Sequence, residues 1–422
     1  MNRNIACVIL AAGKGKRMKS DLPKVLHPVC GRPMLEYVMD LVKELKISTS
    51  VLVLGHQHEL VSKTVRPQAK IVIQKKLQGS ADAVRQAEKA LKDFKGTVLV
   101  LYADNALLRK DSLKKLIRYH MENKAEATLL TARVKNPSGY GRILRDKYES
   151  ICRIVEEKDA DAFQKDIKEI NIGCACFEKT KLFSALKKVK RNRLKKEFYL
   201  TDVIEILYKQ NLRVEAVHLA DVREGWGINS RVDLAKVNKI MQERILKAHL
   251  EAGIGIVDPQ STFVDWGVKI GVDSKIYPFT VIERNVTIGR RCSIGPFCHL
   301  REQTVIEDDC AIGNFSELAR SRVGKHTLAK HFCYLGDSRI GNNVNIGAGV
   351  VTANFDGKRK NTTLIKDNAF LGSDTILIAP VRVGRHAVTG AGSVISRNKH
   401  VGDYAVVAGV PARQLKKKMA GR

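Results

Sequence analysis

VTIGRRCSIGPFCHLREQTVIEDDCAI, residues 286–312, decides how nearly half of this chain folds. Ile288, Ile294, Leu300, Ile306 and Ile312 recur at an interval of six. The run reaches back through Ile282, Ile276 and Ile270 to Val264 and forward to Leu318, ten aliphatics in succession. A period of six belongs to neither an α-helix nor an ordinary strand. Each hexad reads as one short flat strand and a turn, and three hexads close a triangular coil with its aliphatics stacked inward. The repeat is expected to resume in shifted phase at Leu328, Tyr334, Ile340 and Ile346, then at Leu364, Phe370 and Ile376, and at Val388 and Val394. Residues 353–363, ANFDGKRKNTT, interrupt it as a polar loop. The expectation for 254–422 is therefore a left-handed parallel β-helix of hexapeptide repeats, whose flat sides pack as a homotrimer.

Upstream the grammar changes. VDLAKVNKIMQERILKAHLEAG carries Leu234, Val237, Met241 and Ile245 at helical spacing, which predicts a linker helix over 231–253. Before it, strand-like runs (ACVILAA, SVLVLG, KIVIQ, TVLVLYAD, ATLLTARV) alternate with helical ones (LEYVMDLVKELK, ADAVRQAEKALKDF). Such alternation predicts a Rossmann-like α/β domain over 1–230, with a mixed, mainly parallel sheet. Ligands of such sheets sit at the carboxyl ends of strands, where GKGKR and YADN both fall.

Composition narrows the function classes. No apolar run approaches the ~18 residues of a membrane helix, so no membrane insertion is expected. The run IACVILAA leads into GKGKR rather than a cleavage site, so it reads as a buried first strand and not as a signal core. Nine cysteines without CxxC spacing read as reduced thiols of a cytoplasmic protein. The net charge of +30 raises nucleic-acid binding. Its densest run, KKVKRNRLKK at 187–196, lacks the interleaved aromatics that stack bases, so no specific nucleic acid is expected. A lysine-rich surface that attracts anionic substrates fits as well.

The stretch LAAGKGKRMKSDLPK, residues 10–24, is neither a Walker A loop nor a dinucleotide fingerprint: no Lys-Ser/Thr follows, and Met18 stands at the third glycine's place. Backbone N–H groups at such a turn cradle phosphate, and Arg17 and Lys24 can neutralise charge on a transferring phosphoryl group. With LPKVLHPVCGRPML it resembles the nucleotidyltransferases that make nucleoside-diphosphate sugars. GYGRI (139–143), IVEEKDA (154–160), EINIG (169–173), EFYLTD (197–202) and INSR (228–231) narrow the resemblance to the bifunctional N-acetylglucosamine-1-phosphate uridyltransferase/glucosamine-1-phosphate acetyltransferase family. GNF, HFCYLGD, NVNIGAG and GSDT in the hexapeptide half agree with it.

That resemblance implies synthesis of UDP-N-acetylglucosamine for peptidoglycan and lipopolysaccharide, in two steps. Glucosamine 1-phosphate is acetylated from acetyl-CoA in the C-terminal domain. UTP then transfers its uridylyl group to N-acetylglucosamine 1-phosphate, and pyrophosphate leaves. Carried over, Leu10, Ala11, Ala12, Gly13 and Gln74, with Gly79 and Ser80, would hold uracil and ribose. Arg17 and Lys24 would act on the phosphates, and Asp104 and Asn229 would hold Mg²⁺. Gly141, with Gly139 as the alternative in the same motif, Glu156 and Asn171 would contact the acetamido sugar. His331 would be the acetyl-transfer base. Arg301, Tyr334 and Lys360 would bind the sugar phosphate. Asn345 and Asn354 would contact sugar and acetyl-CoA, and Ser373 and Ala391 would line the thioester channel.

The chain departs from the family at Ala103-Asp104-Asn105-Ala106 for Gly-Asp-Val-Pro, at Ile172 for threonine, at Ala319 for lysine and at Phe355 for tyrosine. Two alternatives stay open. One is a uridyltransferase whose β-helix is only a scaffold or takes another acceptor. The other is a silent basic binding protein.

Overall fold

The computed structural model describes residues 4–192 and 196–415. Arg193, Leu194 and Lys195 of the basic run lie outside the described residues. The chain divides into two compact units, one up to Ile240 and one from Met241 onward.

In the first unit the apolar runs become strands: β1 (Ile5–Ala11), β2 (Thr49–Leu54), β3 (Lys70–Ile73), β4 (Thr97–Tyr102) and β5 (Ala127–Arg133). After them come β6 (Arg142–Arg145), β7 (Ile151–Val155), β8 (Glu169–Glu178) and β9 (Val214–His218). The order across the sheet is β9-β5-β8-β4-β1-β2-β3, with β6 attached to β8 and β7 to β6. Strands β1 to β4 pair in parallel, and β8 runs antiparallel between β4 and β5, so the sheet is mixed as expected. Every residue of β1 is buried, as befits a central strand covered on both faces.

Helices α1 (Met34–Glu44), α2 (His58–Val65), α3 (Ser80–Gln86), α4 (Lys110–Glu122), α5 (Ala162–Lys165), α6 (Lys179–Lys188) and α7 (Asp202–Tyr208) accompany it. The helical reading of ADAVRQAEKALKDF is only half right. α3 ends at Gln86, and a 3-10 turn follows at Lys89–Leu91. Three-residue hydrogen bonds (Ala87 N to Val84 O, Glu88 N to Arg85 O) tighten the chain there, and Ala87 and Leu91 stay in the core.

Helix α8 (Arg231–Glu251) spans the division between the units. Its start is set by a reciprocal cap. Ser230 Oγ accepts from Asp233 N at 3.2 Å, and Asp233 Oδ2 accepts from Ser230 N at 2.9 Å and Asn229 N at 3.1 Å. Gly253, at φ +86°, follows its end.

The second unit is a β-helix. Strands of two to four residues stack into three sheets of ten, eight and eight strands, all in parallel except the last of the ten, Arg413–Gln414, which runs antiparallel; these are here the first, second and third faces. Val264, Ile276, Ile282, Ile288, Ile294, Leu300, Ile306, Ile312 and Leu318 all point inward and are buried. Beyond Leu318 the expected phase needs correction. Leu328, Tyr334, Leu364, Phe370, Ile376, Val388 and Val394 lie on the outer side, and their neighbours Ala329, Leu335, Ile365, Leu371, Leu377, Thr389 and Ile395 fill the core.

The cause is a pair of five-residue steps, followed by the polar loop, which carries the core from Thr352 to Ile365 in thirteen residues. Leu300 pairs with Leu318 one coil of eighteen later, whereas Leu318 pairs with Leu335 after seventeen. The shortened corners fall at Arg320 (φ 51°) and Asp337 (φ 49°), both left-handed. At the corner between the first and second faces Phe279, Phe297 and Phe315 stack with ring centroids 4.8 and 4.9 Å apart.

Candidate active sites

A cavity of about 650 Å³ opens at the carboxyl ends of β1 and β4. It is lined by Leu10, Ala11, Ala12 and Gly13 from the first loop, and by Gln74, Gly79 and Ser80 from the segment after β3. Lys24 and Asp104 complete its floor. Thus residues scattered from 10 to 104 converge on one space.

The loop is not the strand-to-helix turn that phosphate cradling suggested. Gly15 is left-handed (φ 62°) and leads only into a 3-10 turn, Lys16–Met18. A Cβ on Gly15 would stand 2.5 Å from Lys24 Cβ, so glycine there lets the two segments touch. Arg17, on that turn, is exposed and is not among the residues that line the cavity.

Lys24 is the hub. Its Nζ pairs with Asp104 Oδ2 and donates to Asn229 Oδ1 at 2.9 Å. A carboxylate and a carboxamide oxygen, 125 residues apart in the chain, therefore meet at one cation. Both are hard oxygen donors. A magnesium ion is commonly held by one or two such protein groups, with water and substrate phosphate supplying the rest. The donor set fits Mg²⁺ in that mode. Among the described residues no cluster of three or more His, Cys, Asp or Glu offers an all-protein cage.

Beside this space lie Gly141, Glu156 and Asn171. The Gly141 carbonyl accepts from Asn171 N at 2.8 Å. A Cβ on Gly141 would be 3.7 Å from both Asn171 Cβ and Glu156 Oε2, and 3.0 Å from Ile154. The same test at Gly139 meets nothing within 4 Å, which separates the two glycines of GYGRI. Arg142, almost wholly buried, fixes this loop by pairing with Glu157 at 2.6 Å and bonding the Tyr140 carbonyl. Burial pushes the Glu156 carboxyl up, and Thr201 Oγ1, donating at 3.1 Å, opposes that shift.

Three residues here were assigned no role from the sequence. Tyr102 lines the cavity, and its hydroxyl bonds Ser80. Glu197 lines it as well, and Thr201 orients Glu156. The signal was present: EFYLTD stood out as a motif, and its segment folds back onto Gly79 and Ser80. Ala81 N bonds Phe198 O at 3.0 Å, and Leu200 N bonds Ser80 Oγ at 2.9 Å. The departures at Asn105 and Ile172 prove to touch each other, for Asn105 Nδ2 donates to Ile172 O at 3.2 Å.

The second group of residues is strung along the β-helix. At the corner between the first and second faces, Gly349 N bonds Phe332 O, Asp374 N bonds Ala348 O and Gly392 N bonds Ser373 O, at 2.7 to 2.8 Å. His331, Ser373 and Ala391 thus occupy one edge, Ser373 two coils beyond His331 and Ala391 on the next, and all three are exposed. Asn345 lies on the first face, where its strand pairs with Leu328 and Phe370.

Across the second face, at its corner with the third, Arg320 makes a two-pronged pair with Asp337 at 2.6 and 2.9 Å. Asn354 Nδ2 donates to the same carboxylate and to Tyr334 Oη, the latter at 3.4 Å. The Arg320 guanidinium, above all, holds the Asp337 carboxyl below the usual range, and Lys360 adds to the effect. Lys360 rides on a loop pinned by Asp356, whose carboxylate accepts from Lys358 N, Arg359 N, Asn361 and Arg397 at 2.8 to 3.0 Å. Arg301 lies one coil before this group, where its N bonds Leu318 O at 2.8 Å and its guanidinium pairs with Glu317, the strand neighbour of Tyr334, at 3.0 Å. Ala319 is wholly buried, and Phe355 is exposed and bridged to Lys360.

The two halves define a sugar-nucleotide type transferase joined to a hexapeptide-repeat domain. Residues 6–227 match the Nucleotidyl transferase family. Residues 267–302 and 285–320 match the Bacterial transferase hexapeptide (six repeats), and 363–397 match the Hexapeptide repeat of succinyl-transferase. Over its length the chain is 39% identical to the bifunctional protein GlmU of Alkaliphilus metalliredigens (strain QYMF), covering 95% of each chain. It is 40% identical to GlmU of Streptococcus mutans over 97% of this chain and 96% of that one. It is 42% identical to GlmU of Geobacillus sp. (strain WCH70) over 92% of each. The chain belongs to the GlmU family of bifunctional proteins.

Proposed function

We propose that this enzyme makes UDP-N-acetylglucosamine in two steps, acetyl transfer from acetyl-CoA to glucosamine 1-phosphate and then uridylyl transfer from UTP. The observation that carries the second step is the convergence of Lys24, Asp104 and Asn229 beside the Gly141–Glu156–Asn171 cluster. Leu10 to Gly13, Gln74, Gly79 and Ser80 hold the nucleoside, while Gly141, Glu156 and Asn171 hold the acetamido sugar. Lys24 draws charge off the phosphates as the sugar 1-phosphate attacks in line, and no general base is required. Asp104 and Asn229 would hold Mg²⁺, which would supply further neutralisation of phosphate charge. Arg17, exposed on its 3-10 turn, supplies a second cation to the departing pyrophosphate.

For acetyl transfer, His331 takes the proton from the sugar amine. Tyr334, Arg301 and Lys360 receive the sugar phosphate, and Arg320 provides the charge that buried Ala319 does not. Asn345 and Asn354 orient the sugar and the acetyl donor, and acetyl-CoA lies along the edge of Ser373 and Ala391. That edge is open on a single chain, which supports a homotrimer with the site in the cleft between copies. No helix among the described residues is long and apolar enough to cross a membrane. The nine cysteines are all thiols, none in a disulfide among the described residues, which accords with a cytoplasmic enzyme.

A paired assay tests the reading. One arm supplies UTP, N-acetylglucosamine 1-phosphate and Mg²⁺ and follows pyrophosphate. The other supplies acetyl-CoA and glucosamine 1-phosphate and follows free thiol. Signal in both arms is the expected result. Pyrophosphate without thiol would reduce the β-helix to a scaffold or to an acyltransferase of another acceptor.

A further inference from the structure

One polar side chain in the nucleotide cavity is oriented from behind by a residue outside it. Gln74 lines the cavity yet is only 4% exposed. Its Nε2 donates to the Gly79 carbonyl at 3.1 Å and to Asp82 Oδ2 at 2.7 Å. A carboxamide nitrogen carries two hydrogens, so both are committed. Two acceptors on one side also settle the flip: turned over, Oε1 would face a carbonyl and a carboxylate. What Gln74 then offers the cavity is Oε1, an acceptor.

Asp82 is in the first turn of α3 and is not among the cavity's lining residues. Its other oxygen receives only a long contact, 3.4 Å, from Gln86 Nε2. Nothing in the helix itself therefore holds that carboxylate on Gln74. The bond between them is the better of its two.

We propose that Asp82 is a positioning residue that sets which base the cavity accepts, by holding Gln74 as an acceptor toward the nucleobase. This rests on the uridylyl-transfer reading and deepens it. A pyrimidine whose ring nitrogen bears hydrogen between two carbonyls, as in uracil or thymine, donates that hydrogen to Oε1. Cytosine presents a bare lone pair at the same position and leaves two acceptors face to face in a nearly dry site. A buried acceptor left without a donor is disfavoured by roughly tenfold to a hundredfold. Without Asp82 only the longer bond to the Gly79 carbonyl, 3.1 Å, resists a turn of the amide that presents its N–H₂, and that discrimination weakens.

The test uses the full chain as wild type, Asp82→Ala and Asp82→Asn. Equilibrium affinity for UTP and for CTP is measured first, without sugar. The kcat/KM for each nucleotide with N-acetylglucosamine 1-phosphate and Mg²⁺ follows. Wild type is expected to favour UTP. In Asp82→Ala the UTP-to-CTP ratio should fall about tenfold or more. Asp82→Asn keeps a carbonyl that accepts from Gln74 and should retain most of the preference. An unchanged ratio in an Asp82→Ala variant with wild-type melting temperature overturns the proposal. So does an equal loss for both nucleotides, which is what a purely structural role produces. Wild type that releases no pyrophosphate from either nucleotide removes the uridylyl-transfer reading instead, and the binding ratio still decides for or against Asp82.

Discussion

The two candidate sites are built in opposite ways. The nucleotide cavity is concave and gathers strand ends and loops from 10 to 104 around one half-buried lysine. The residues proposed for acetyl transfer are laid out along two edges of the solenoid, His331, Ser373 and Ala391 on one, and on the other Arg320 and Asn354 each seventeen residues from Asp337. The first site is enclosed because the strands of a doubly covered sheet end together. The second is open because a solenoid presents only edges and flat faces. An enclosed site tolerates little change in its hub, whereas a strung-out site can move a function to the next position along the edge.

The largest effect is therefore expected at the hub. Asp104→Ala removes the partner of Lys24 and one of two candidate metal oxygens. Pyrophosphate release should fall at least about a hundredfold, while thiol release stays at the wild-type rate because the two sites lie in separate compact units. Equal loss of both activities in a well-folded variant would break the contrast between independent sites.

His331→Ala should do the converse. Loss of a general base costs about 10² to 10⁴ in rate. Thiol release should fall by that order, and pyrophosphate release should not change. Thiol release at the wild-type rate would move the base elsewhere on the edge.

A smaller effect sharpens the idea that function has shifted along the edge. Arg320, not Ala319, carries the charge beside Tyr334 and Asp337. In Arg320→Ala the KM for glucosamine 1-phosphate should rise by roughly tenfold, with kcat reduced less, since a charge-assisted contact is worth about 1.5–3 kcal/mol. An unchanged KM would leave Arg301, Tyr334 and Lys360 sufficient on their own.

Much of this architecture is legible in the amino-acid sequence alone. The six-residue period reports the β-helix because stacking demands one inward aliphatic per strand, and the Leu10–Gly13 loop and Asp104 mark strand ends. The register after Leu318 is not legible. Tyr334 and Phe370 each sit beside a leucine, and only the five-residue corners at Arg320 and Asp337, and then the loop that carries the core from Thr352 to Ile365, show which of two neighbours turns inward. Nor is the Lys24–Asn229 contact, since they are 205 residues apart and neither motif mentions the other. The break after Gln86 escapes for a related reason: helical spacing of apolar residues persists through a tightened turn.

The smallest predicted effect lies at the rim of the first site. Asp202 opens α7, where the helix dipole favours a charged carboxylate. Burial first, and then Glu205, Glu156 and Asp159, push it the other way, up to about 6. The acidic neighbours and the lost hydration thus outweigh the dipole. A carboxyl raised in the fold binds its proton more tightly than the unfolded chain does, where its pKa is about 3.9. The stability it contributes is present below that value and is lost as pH rises through about 6. Asp202→Asn imitates the protonated form, so at pH 4 it should melt with wild type. At pH 7 the variant should melt higher by roughly a few degrees, and the gap should open between those limits. Parallel melting curves from pH 4 to 7 would show that the acidic rim around Glu156 carries no strain, and that the enclosed site is no costlier to build than the open one.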